Sequence, residues 1–327
     1  MPSPSSACLK LPEPAAEPAR PRVGASACLL GEQVRFDGGH KQSKFVVNRL
    51  SKLVEFVPVC PEVAAGMPVP RETLRLLRRG SSTSVVGNRS AHDYTAQLQG
   101  AAQEQAELLA RLDLDGFILK KDSPSCGLKR VRVYRPGDFP PDRSGQGLFA
   151  SALTEALPNL PCTEDGWLND TVLREAFLEQ VFTHHRMRLR LFASDSPSEL
   201  VSFHADHKLL FMAHSPALAK QLGRIVASIG SQPYVFIRSN YVALAMHALG
   251  ERATRGKHVN VLQHIIGYFK RILSPDEKRE LLELIGDFRA GTYDLVVPLT
   301  LIRHYIRKHD PSPWLRRQIY FQPYPQL

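Results

Sequence analysis

The chain has 327 residues, of which 43% are hydrophobic and 23% are charged, a balance that excludes an intrinsically disordered protein. At roughly 150 residues per domain, the length predicts two domains, large enough to fold without disulfide bonds. The net charge of +10 permits a polyanionic partner without requiring one. The five cysteines are odd in number and widely scattered, which argues against a secreted disulfide framework.

The first 22 residues are rich in Pro and Ser, and they predict a disordered leader that contains Cys8. They lack the apolar core of a signal peptide, and no later run is long enough to span a membrane. We therefore expect a cytoplasmic protein without membrane contact, in a reducing compartment where thiolates can bind metal.

Short apolar runs alternate with helical stretches between residues 23 and 160. Four runs have strand character and two have helix character: strands at 23–30, 55–60, 116–121 and 131–134, and helices at 46–53 and 101–112. This alternation predicts an α/β domain with a mostly parallel sheet and flanking helices. Residues 161–166 are interpreted as a linker, and we assign no role to Cys162 within it.

Residues 167–327 have helix signals almost throughout. Ser-Pro pairs beginning at Ser196, Ser215 and Ser274 each predict a helix start, and Ser196 and Ser274 are followed three residues later by Glu, as in a capping box. About seven helices and no convincing strand predict an all-α domain. From residue 166 onward there are 21 Lys and Arg against 14 Asp and Glu, so this half is the better candidate for binding a polyanion.

Three cysteines follow the ends of predicted strands. Cys28, Cys60 and Cys126 each lie near Pro, Gly or Ser residues that shape turns. Because the carboxyl ends of parallel strands share one edge of a sheet, the three thiols are expected to converge there and form a metal or cluster site. The alternative is that they are buried, unreactive thiols, although their positions beside turn residues argue against it.

Conspicuous motifs surround these cysteines: Ser26–Gly31 followed by Arg35–Gly38, Pro58–Glu62, and Ser123–Gly127. In this order they resemble the signatures of the thiouracil desulfidase (TudS-like) family, and the resemblance covers roughly the first 160 residues. Residues 65–67 depart from the family pattern, since Ala-Gly-Met stands where two glycines and Leu are more usual.

The helical half resembles the YbgA-type domain. Four segments carry this second resemblance: His184–Arg186, Phe203–Lys208, Gly256–Asn260 and Pro298–Ile302. The fusion of the two domains resembles a desulfidase that acts on transfer RNA.

The resemblance implies that Cys28, Cys60 and Cys126 bind a [4Fe-4S] cluster whose fourth iron has no protein ligand. The implied reaction is the non-redox desulfuration of 4-thiouridine in tRNA to uridine, with release of sulfide and with the basic helical domain binding the tRNA. Glu62 is expected to act as the general acid and base. Ser123 is expected to position substrate or water by a hydrogen bond, with Ser125 as the alternative.

Other interpretations stay open at this point. The chain could desulfurate free thiobases such as thiouracil, with the helical domain serving assembly, or it could be a non-catalytic RNA-binding protein with a structural zinc site. Glu62 could be a surface charge at a helix start. Arg35, Asp37 and Lys41 could orient the base or bind phosphate, or they could form an ordinary salt-bridged turn.

Two features of the helical half have competing interpretations. His204 and His207 resemble a metal-binding pair, but a structural or RNA-contacting role is expected. The C-terminal stretch between Arg303 and Tyr320 mixes basic and aromatic residues, which suits phosphate contact and base stacking. Core packing of its aromatic side chains is the alternative.

Overall fold

The computed structural model describes residues 20–137 and 139–326. Most of the predicted leader, including Cys8, lies outside these residues. The chain forms two compact units, which divide between Phe177 and Leu178. In the described part of the chain, no helix combines the length and the apolar character that crossing a membrane would require.

A parallel sheet forms the centre of the first unit, as the alternating pattern predicts. Its strands, in chain order, are β1 (Arg22–Ser26), β2 (Glu55–Val59), β5 (Gly116–Leu119) and β8 (Cys162–Glu164). Their spatial order is β2-β1-β5-β8, and every neighbouring pair is parallel. All four residues of β5 are buried, which explains its uninterrupted apolar sequence.

The first unit also contains a second sheet, in which parallel and antiparallel pairs are mixed. It contains β3 (Leu74–Arg79), β4 (Ser82–Gly87), β6 (Val131–Tyr134) and β7 (Asp142–Gly145), in the spatial order β4-β3-β6-β7. The β3–β4 and β6–β7 pairs are antiparallel, whereas β3 and β6 are parallel. The sequence predicts only β6 of these four strands.

Five helices complete the first unit. They are α1 (Ala27–Leu30), α2 (Lys44–Asn48), α3 (Pro61–Ala64), α4 (Thr95–Leu109) and α5 (Leu148–Ala156). The faces of α4 and α5 that carry Ala102, Leu109, Phe149 and Leu153 pack with Phe117 of the parallel sheet in one apolar core. This packing explains why the predicted helix at 101–112 exists, although it begins and ends earlier than expected.

Further predicted boundaries also differ from the structure. The apolar run at 23–30 is a strand only up to Ser26 and then turns into α1, so Cys28 lies in a single helical turn. The helix predicted at 46–53 is divided into α2 and a separate 3₁₀ turn. Residues 162–164, which the sequence analysis assigns to a linker, form β8 because their backbone pairs with β5.

The second unit is helical, and the fold class predicted for both halves is confirmed. Its helices, together with the one that leads into it, are α6 (Thr171–Met187), α7 (Pro197–His214), α8 (Pro216–Ala227), α9 (Tyr234–Gly250), α10 (Arg255–Tyr268), α11 (Pro275–Ala290), α12 (Val296–His309) and α13 (Pro313–Arg316). The described residues of this half contain no strand. Seven of these helices have 12 or more residues, in agreement with the predicted number.

The three predicted helix starts are correct in position. Ser274 forms a complete capping box with Glu277 at the start of α11, and the Ser215 hydroxyl accepts a hydrogen bond from the backbone of Leu218. The box expected at Ser196 does not form. Its partner Glu199 instead accepts a hydrogen bond from Arg190 at 3.1 Å.

His204 and His207 belong to the core of the helical unit. The His207 ring is stacked on Phe203 with centroids 3.9 Å apart, and its Nε2 atom accepts a hydrogen bond from Arg186 Nε at 2.9 Å. His204 Nδ1 lies 3.2 Å from the Tyr241 hydroxyl. These contacts support the structural role for the pair over the metal-binding one.

The aromatic residues of the C-terminal stretch are also largely core residues. Tyr305 and Tyr320 are buried in the main cluster of this unit. Trp314 Nε1 donates to the Ala205 carbonyl at 3.1 Å, and its ring stacks on Tyr268. Packing therefore explains these three aromatic residues, and exposed Arg307 remains available on the surface of α12.

Burial of neutral histidines predicts acid sensitivity of the helical unit. Burial lowers the pKa of His204 and of His258 to about 4. Since the pKa in the unfolded chain is about 6.5, protons bind preferentially to the unfolded state below that pH. The stability that depends on keeping these two histidines neutral is therefore complete above pH 6.5, and we expect it to be lost as the pH falls toward 4.

Thermal unfolding followed by circular dichroism between pH 7 and pH 4 measures this effect. The unfolding midpoint should fall across that window, and replacing both histidines by Gln should make this fall smaller. A His247→Gln variant, changed at an exposed position, should keep the wild-type dependence. A midpoint that stays constant from pH 6.5 to 4 would contradict the argument.

Candidate active site

Three thiols line one cavity at the carboxyl edge of the parallel sheet. Cys28 lies in α1 after β1, Cys60 directly follows β2, and Cys126 lies in the loop after β5. All three border a cavity of about 270 Å³, which we call the thiol cavity. The convergence predicted from strand order is therefore present: Cys28 lies in the helical turn just after β1, and Cys126 lies in a longer loop after β5.

The three thiols are close enough to influence one another electrostatically. Burial and the charge of Cys60 raise the pKa of Cys28 to about 11, against the opposing effect of Lys120. Burial likewise raises the pKa of Cys60 and of Cys126. Without a bound cation these groups stay protonated at neutral pH, so cation binding must displace protons from them.

A tightly packed loop fixes Cys126. The Ser123 hydroxyl accepts hydrogen bonds from the backbone N–H groups of Ser125 at 3.2 Å and Cys126 at 3.1 Å. A Cβ atom on Gly127 would lie 2.3 Å from the Val131 side chain, and one on Gly147 would lie 2.4 Å from the Ser125 carbonyl. Only glycine fits at these two positions, which explains the Ser-Cys-Gly sequence around the third thiol.

Glu62 is the carboxylate of the thiol cavity that follows one of the three cysteines in sequence. Cys60 precedes the first turn of α3, Pro61 begins this helix, and Glu62 follows. The Glu62 Oε1 atom accepts a hydrogen bond from the Ser125 hydroxyl at 2.9 Å, and its Oε2 atom accepts one from Arg71 Nε at 2.8 Å. A helix-start charge on the surface is thus a poor description of Glu62, because its side chain is only 17% exposed.

Arg71 is a site residue that sequence reasoning missed. Its side chain is only 4% exposed, and its guanidinium also donates to the carbonyls of Pro68 at 3.2 Å and Val34 at 2.8 Å. These bonds hold the guanidinium against Glu62. Arg71 lies outside the three recognised motifs, so no signal in the sequence distinguishes it from the other arginines.

The two predicted serines have different places. Ser123 lines the thiol cavity, and its oxygen holds the Cys126 loop. Ser125 is buried, and its hydroxyl contacts Glu62. Each serine thus has a defined contact, and the positioning role, for which the sequence predicts Ser123 with Ser125 as the alternative, stays a prediction.

The basic residues near the first cysteine differ in their surroundings. Arg35 lines the thiol cavity and forms an ion pair with exposed Asp37 at 3.3 Å, which agrees with the salt-bridged turn. Lys41 donates its backbone N–H to the Cys28 carbonyl at 2.9 Å. Lys120 also lines the cavity and forms an ion pair with Asp165 at 3.1 Å.

The thiols of the cavity are donors of the chemical type that iron–sulfur clusters take. In the part of the chain that the structure describes, no three His, Cys, Asp or Glu side chains converge closely enough to hold one metal ion. A single ion needs every donor within about 2.3 Å of one centre, whereas in a cluster each thiolate binds a different iron. Three thiols around one shared cavity, without closer convergence, are compatible with the second arrangement.

Known proteins share both halves of this chain. The sequence model described as 2-thiouracil desulfurase matches residues 23–165. The uncharacterized protein YbbK of Bacillus subtilis (strain 168) is 33% identical over 143 residues, which cover 40% of this chain and 85% of YbbK. The chain belongs to the 2-thiouracil desulfurase family. The three motifs and the three thiols described above all lie within the residues that match this family.

Two further comparisons concern the helical half and the solved structures. A family described only as a protein of unknown function, DUF1722, matches residues 208–325. The uncharacterized protein YbgA of Escherichia coli (strain K12) is 31% identical over 158 residues, covering 47% of this chain and 90% of YbgA. A solved [4Fe-4S]-dependent thiouracil desulfidase, TudS, is 28% identical with a TM-score of 0.39, and the match covers 48% of this chain and 99% of that one.

Proposed function

We propose that this member of the desulfurase family removes the sulfur of 4-thiouridine in tRNA, leaving uridine and releasing sulfide. The observation that carries the proposal is the thiol cavity, whose lining includes three cysteines and the hydrogen-bonded carboxylate of Glu62. Membership of a family described by thiouracil desulfuration supports the reaction class.

Cys28, Cys60 and Cys126 would hold a [4Fe-4S] cluster at the edge of the sheet. Three thiolates leave one iron without a protein ligand, and when bound the cluster would supply an open Lewis acid for the thiocarbonyl sulfur. Lys120 and Arg35 lie near Cys28, where their positive charges favour the thiolate form that ligation requires.

The proton transfers would be carried out by the protein's own residues. Hydrolysis of the carbon–sulfur bond consumes one water, whose oxygen becomes the new carbonyl and whose two protons leave with the sulfur. Glu62 is the group placed to accept a proton from that water and to return it to the departing sulfur. Ser125 and Arg71 hold one carboxylate oxygen each, so the direction of the carboxylate is fixed before substrate arrives.

Ser123 would contact the substrate. Its oxygen accepts two backbone hydrogen bonds, which leaves its own hydrogen for donation into the thiol cavity. This donor suits the carbonyl of a pyrimidine ring or the attacking water. Because backbone N–H groups already hold the Ser123 oxygen in place, its side chain loses little conformational freedom when substrate binds.

The preference for tRNA over a free base would come from positive charge. Arg35, Lys120 and Lys121 line the thiol cavity, and the helical half has a net charge of +7, from 21 basic and 14 acidic residues. Phosphate contacts by Lys and Arg supply sequence-independent affinity for nucleic acid. We therefore assign tRNA binding to the basic helical half.

Nucleoside analysis of treated tRNA tests this function. Anaerobically reconstituted protein should convert 4-thiouridine in tRNA to uridine with release of sulfide, and 2-thiouridine in the same tRNA serves as the comparison. Raising the salt concentration should slow the tRNA reaction more than the reaction with free 4-thiouracil, because phosphate contacts are screened. If free thiobase is cleared while tRNA is untouched, the tRNA assignment is wrong.

A further inference from the structure

Two adjacent carboxylates stand at the end of the last strand of the parallel sheet. Glu164 is the final residue of β8, and Asp165 follows it directly. Both fall in the segment 161–166, which the sequence predicts as a linker. Glu164 is only 2% exposed, and a carboxylate in the protein interior is costly unless hydrogen bonds compensate it. The hydrogen bonds of the two side chains lead to one loop of the thiol cavity.

Asp165 holds the beginning of the Cys126 loop, which runs through residues 120–130 between β5 and β6. Its Oδ1 atom accepts a hydrogen bond from the backbone N–H of Lys121 at 2.8 Å. The Lys120 ammonium group lies 3.1 Å from its Oδ2 atom. Both contacts are made where the chain leaves β5, so they fix the direction in which the loop enters the thiol cavity.

Glu164 holds the end of the same loop. Its Oε1 atom accepts hydrogen bonds from the backbone N–H groups of Leu128 at 2.9 Å and Lys129 at 3.4 Å. Leu128 is buried, so the loss of this carboxylate would leave a backbone N–H in the interior without its acceptor. We call Glu164 and Asp165 together the carboxylate clamp.

Helix α5 holds the Cys126 loop through the opposite set of polar groups. The Gly147 N–H donates to the Gly127 carbonyl at 2.8 Å, and the Phe149 N–H donates to the Ser125 carbonyl at 2.9 Å. The start of α5 thus binds carbonyl groups of the loop, whereas the carboxylate clamp binds N–H groups. The backbone on both sides of Cys126 is therefore restrained from two directions.

Cys126 depends on such restraint more than the other two thiols do. Cys28 and Cys60 lie within two residues of the ends of β1 and β2, so the sheet itself positions them. Cys126 lies farther along the chain from the end of β5, within a loop. Its position is set by what holds that loop.

We propose that Glu164 and Asp165 are positioning residues for Cys126 and that the carboxylate clamp holds this thiol where a cluster can bind it. The inference rests on the proposed function, which makes Cys126 a cluster ligand. Neither carboxylate is among the residues that line the thiol cavity, so both act through the backbone of the Cys126 loop. A ligand that is fixed in advance loses less conformational freedom on binding, which strengthens the binding.

The rate of iron loss tests the carboxylate clamp. Groups that orient metal ligands typically contribute 10- to 100-fold to metal affinity, so reconstituted Glu164→Ala should lose its visible absorbance to a chelator about tenfold faster than wild type. Asp165→Ala should accelerate the loss as well, because it releases the other end of the loop. Glu164→Gln should retain most of the iron, since the amide oxygen can accept the same two N–H bonds.

Leu109→Ala is the matched control for a loss of stability alone. Leu109 is buried in the same apolar core, but it lies at the end of α4, away from the carboxyl edge of the sheet. This variant should unfold at a lower temperature and still lose iron at the wild-type rate. Equal rates of iron loss in Leu109→Ala and Glu164→Ala would overturn the clamp, as would a wild-type rate in Glu164→Ala.

Hydrogen–deuterium exchange of the cluster-free protein separates this inference from the proposed function. The peptide that covers residues 120–130 should exchange about tenfold faster in Glu164→Ala than in wild type, because its amides lose an acceptor, while α4 keeps its rate. If Glu164→Ala does not fold, Asp165→Ala carries the same test. Unchanged exchange in the loop would contradict the clamp. A wild-type protein that binds no iron would refute the proposed function, and the exchange would still decide whether the carboxylates hold the Cys126 loop.

Discussion

Replacing Glu62 by Gln should lower the desulfuration rate by a factor on the order of 100 or more while the protein keeps its iron. The amide oxygen of Gln can still accept a hydrogen bond from Ser125 or Arg71, so the shape of the site is retained. The amide cannot take up a proton from water near neutral pH. Single-turnover kinetics with 4-thiouridine, measured together with iron content, separate the two properties.

Glu55 provides a matched control for this variant. It lies at the amino end of β2, the same strand whose carboxyl end leads to Cys60 and Glu62, and its side chain forms an ion pair with Arg22. Glu55→Gln should leave the rate within about twofold of wild type, because exposed ion pairs contribute little. Near-normal turnover in Glu62→Gln would remove Glu62 from the chemistry.

The sequence could predict the thiols and Glu62 because they lie in contiguous motifs. A strand that ends beside Pro or Gly and is followed by Cys is visible without coordinates, and the family resemblance supplies Glu62 and Ser123. Arg71 and the Ser125–Glu62 contact could not be predicted. The Ser125–Glu62 contact joins the Cys126 loop to α3 across 63 positions of sequence. Arg71 reaches Glu62 from a segment outside the motifs, and both contacts are properties of the fold.

The missed strands have a physical explanation as well. β3 and β4 contain several arginines and serines, and β4 begins with exposed residues, so neither has a clear alternation of apolar and polar residues. β8 has only three residues and is recognisable only by its pairing with β5. The long helices of the second unit were predictable because Ser-Pro starts and apolar periodicity act locally.

The structure changes what the helical half can contribute. Some of its histidines are used in contacts inside this unit: His214 Nε2 lies 2.7 Å from Glu179, and His258 Nδ1 lies 3.0 Å from the Tyr320 hydroxyl. Burial lowers the pKa of His214, but the hydrogen bond and charge of Glu179 outweigh it and raise the pKa above its ordinary value. If this half binds tRNA as proposed, exposed Lys and Arg are the side chains that would contact the phosphates.

Replacing Cys60 by Ala should abolish cluster binding and with it the desulfuration of any thiobase. Anaerobically reconstituted wild-type protein should be brown, whereas the variant should be colourless and contain little iron, since two thiolates alone hold a four-iron cluster poorly. Iron analysis and visible absorbance measure the loss. A colourless wild-type protein with one zinc per chain would instead support the non-catalytic alternative.

Cys162 offers the control, because it is a cysteine of the same unit in a different setting. It lies in β8, where burial raises the pKa of its thiol to about 12, and it packs against the apolar core of the sheet. Cys162→Ala should therefore keep the iron and the brown colour, with at most a loss of stability from the missing side-chain volume. If Cys162→Ala loses as much iron as Cys60→Ala, or if Cys60→Ala keeps its iron, the thiol cavity is not the cluster site. Both substitutions remove one largely buried thiol. They differ in that Cys60 lines the thiol cavity and Cys162 does not, so a difference in iron content reports on the cavity.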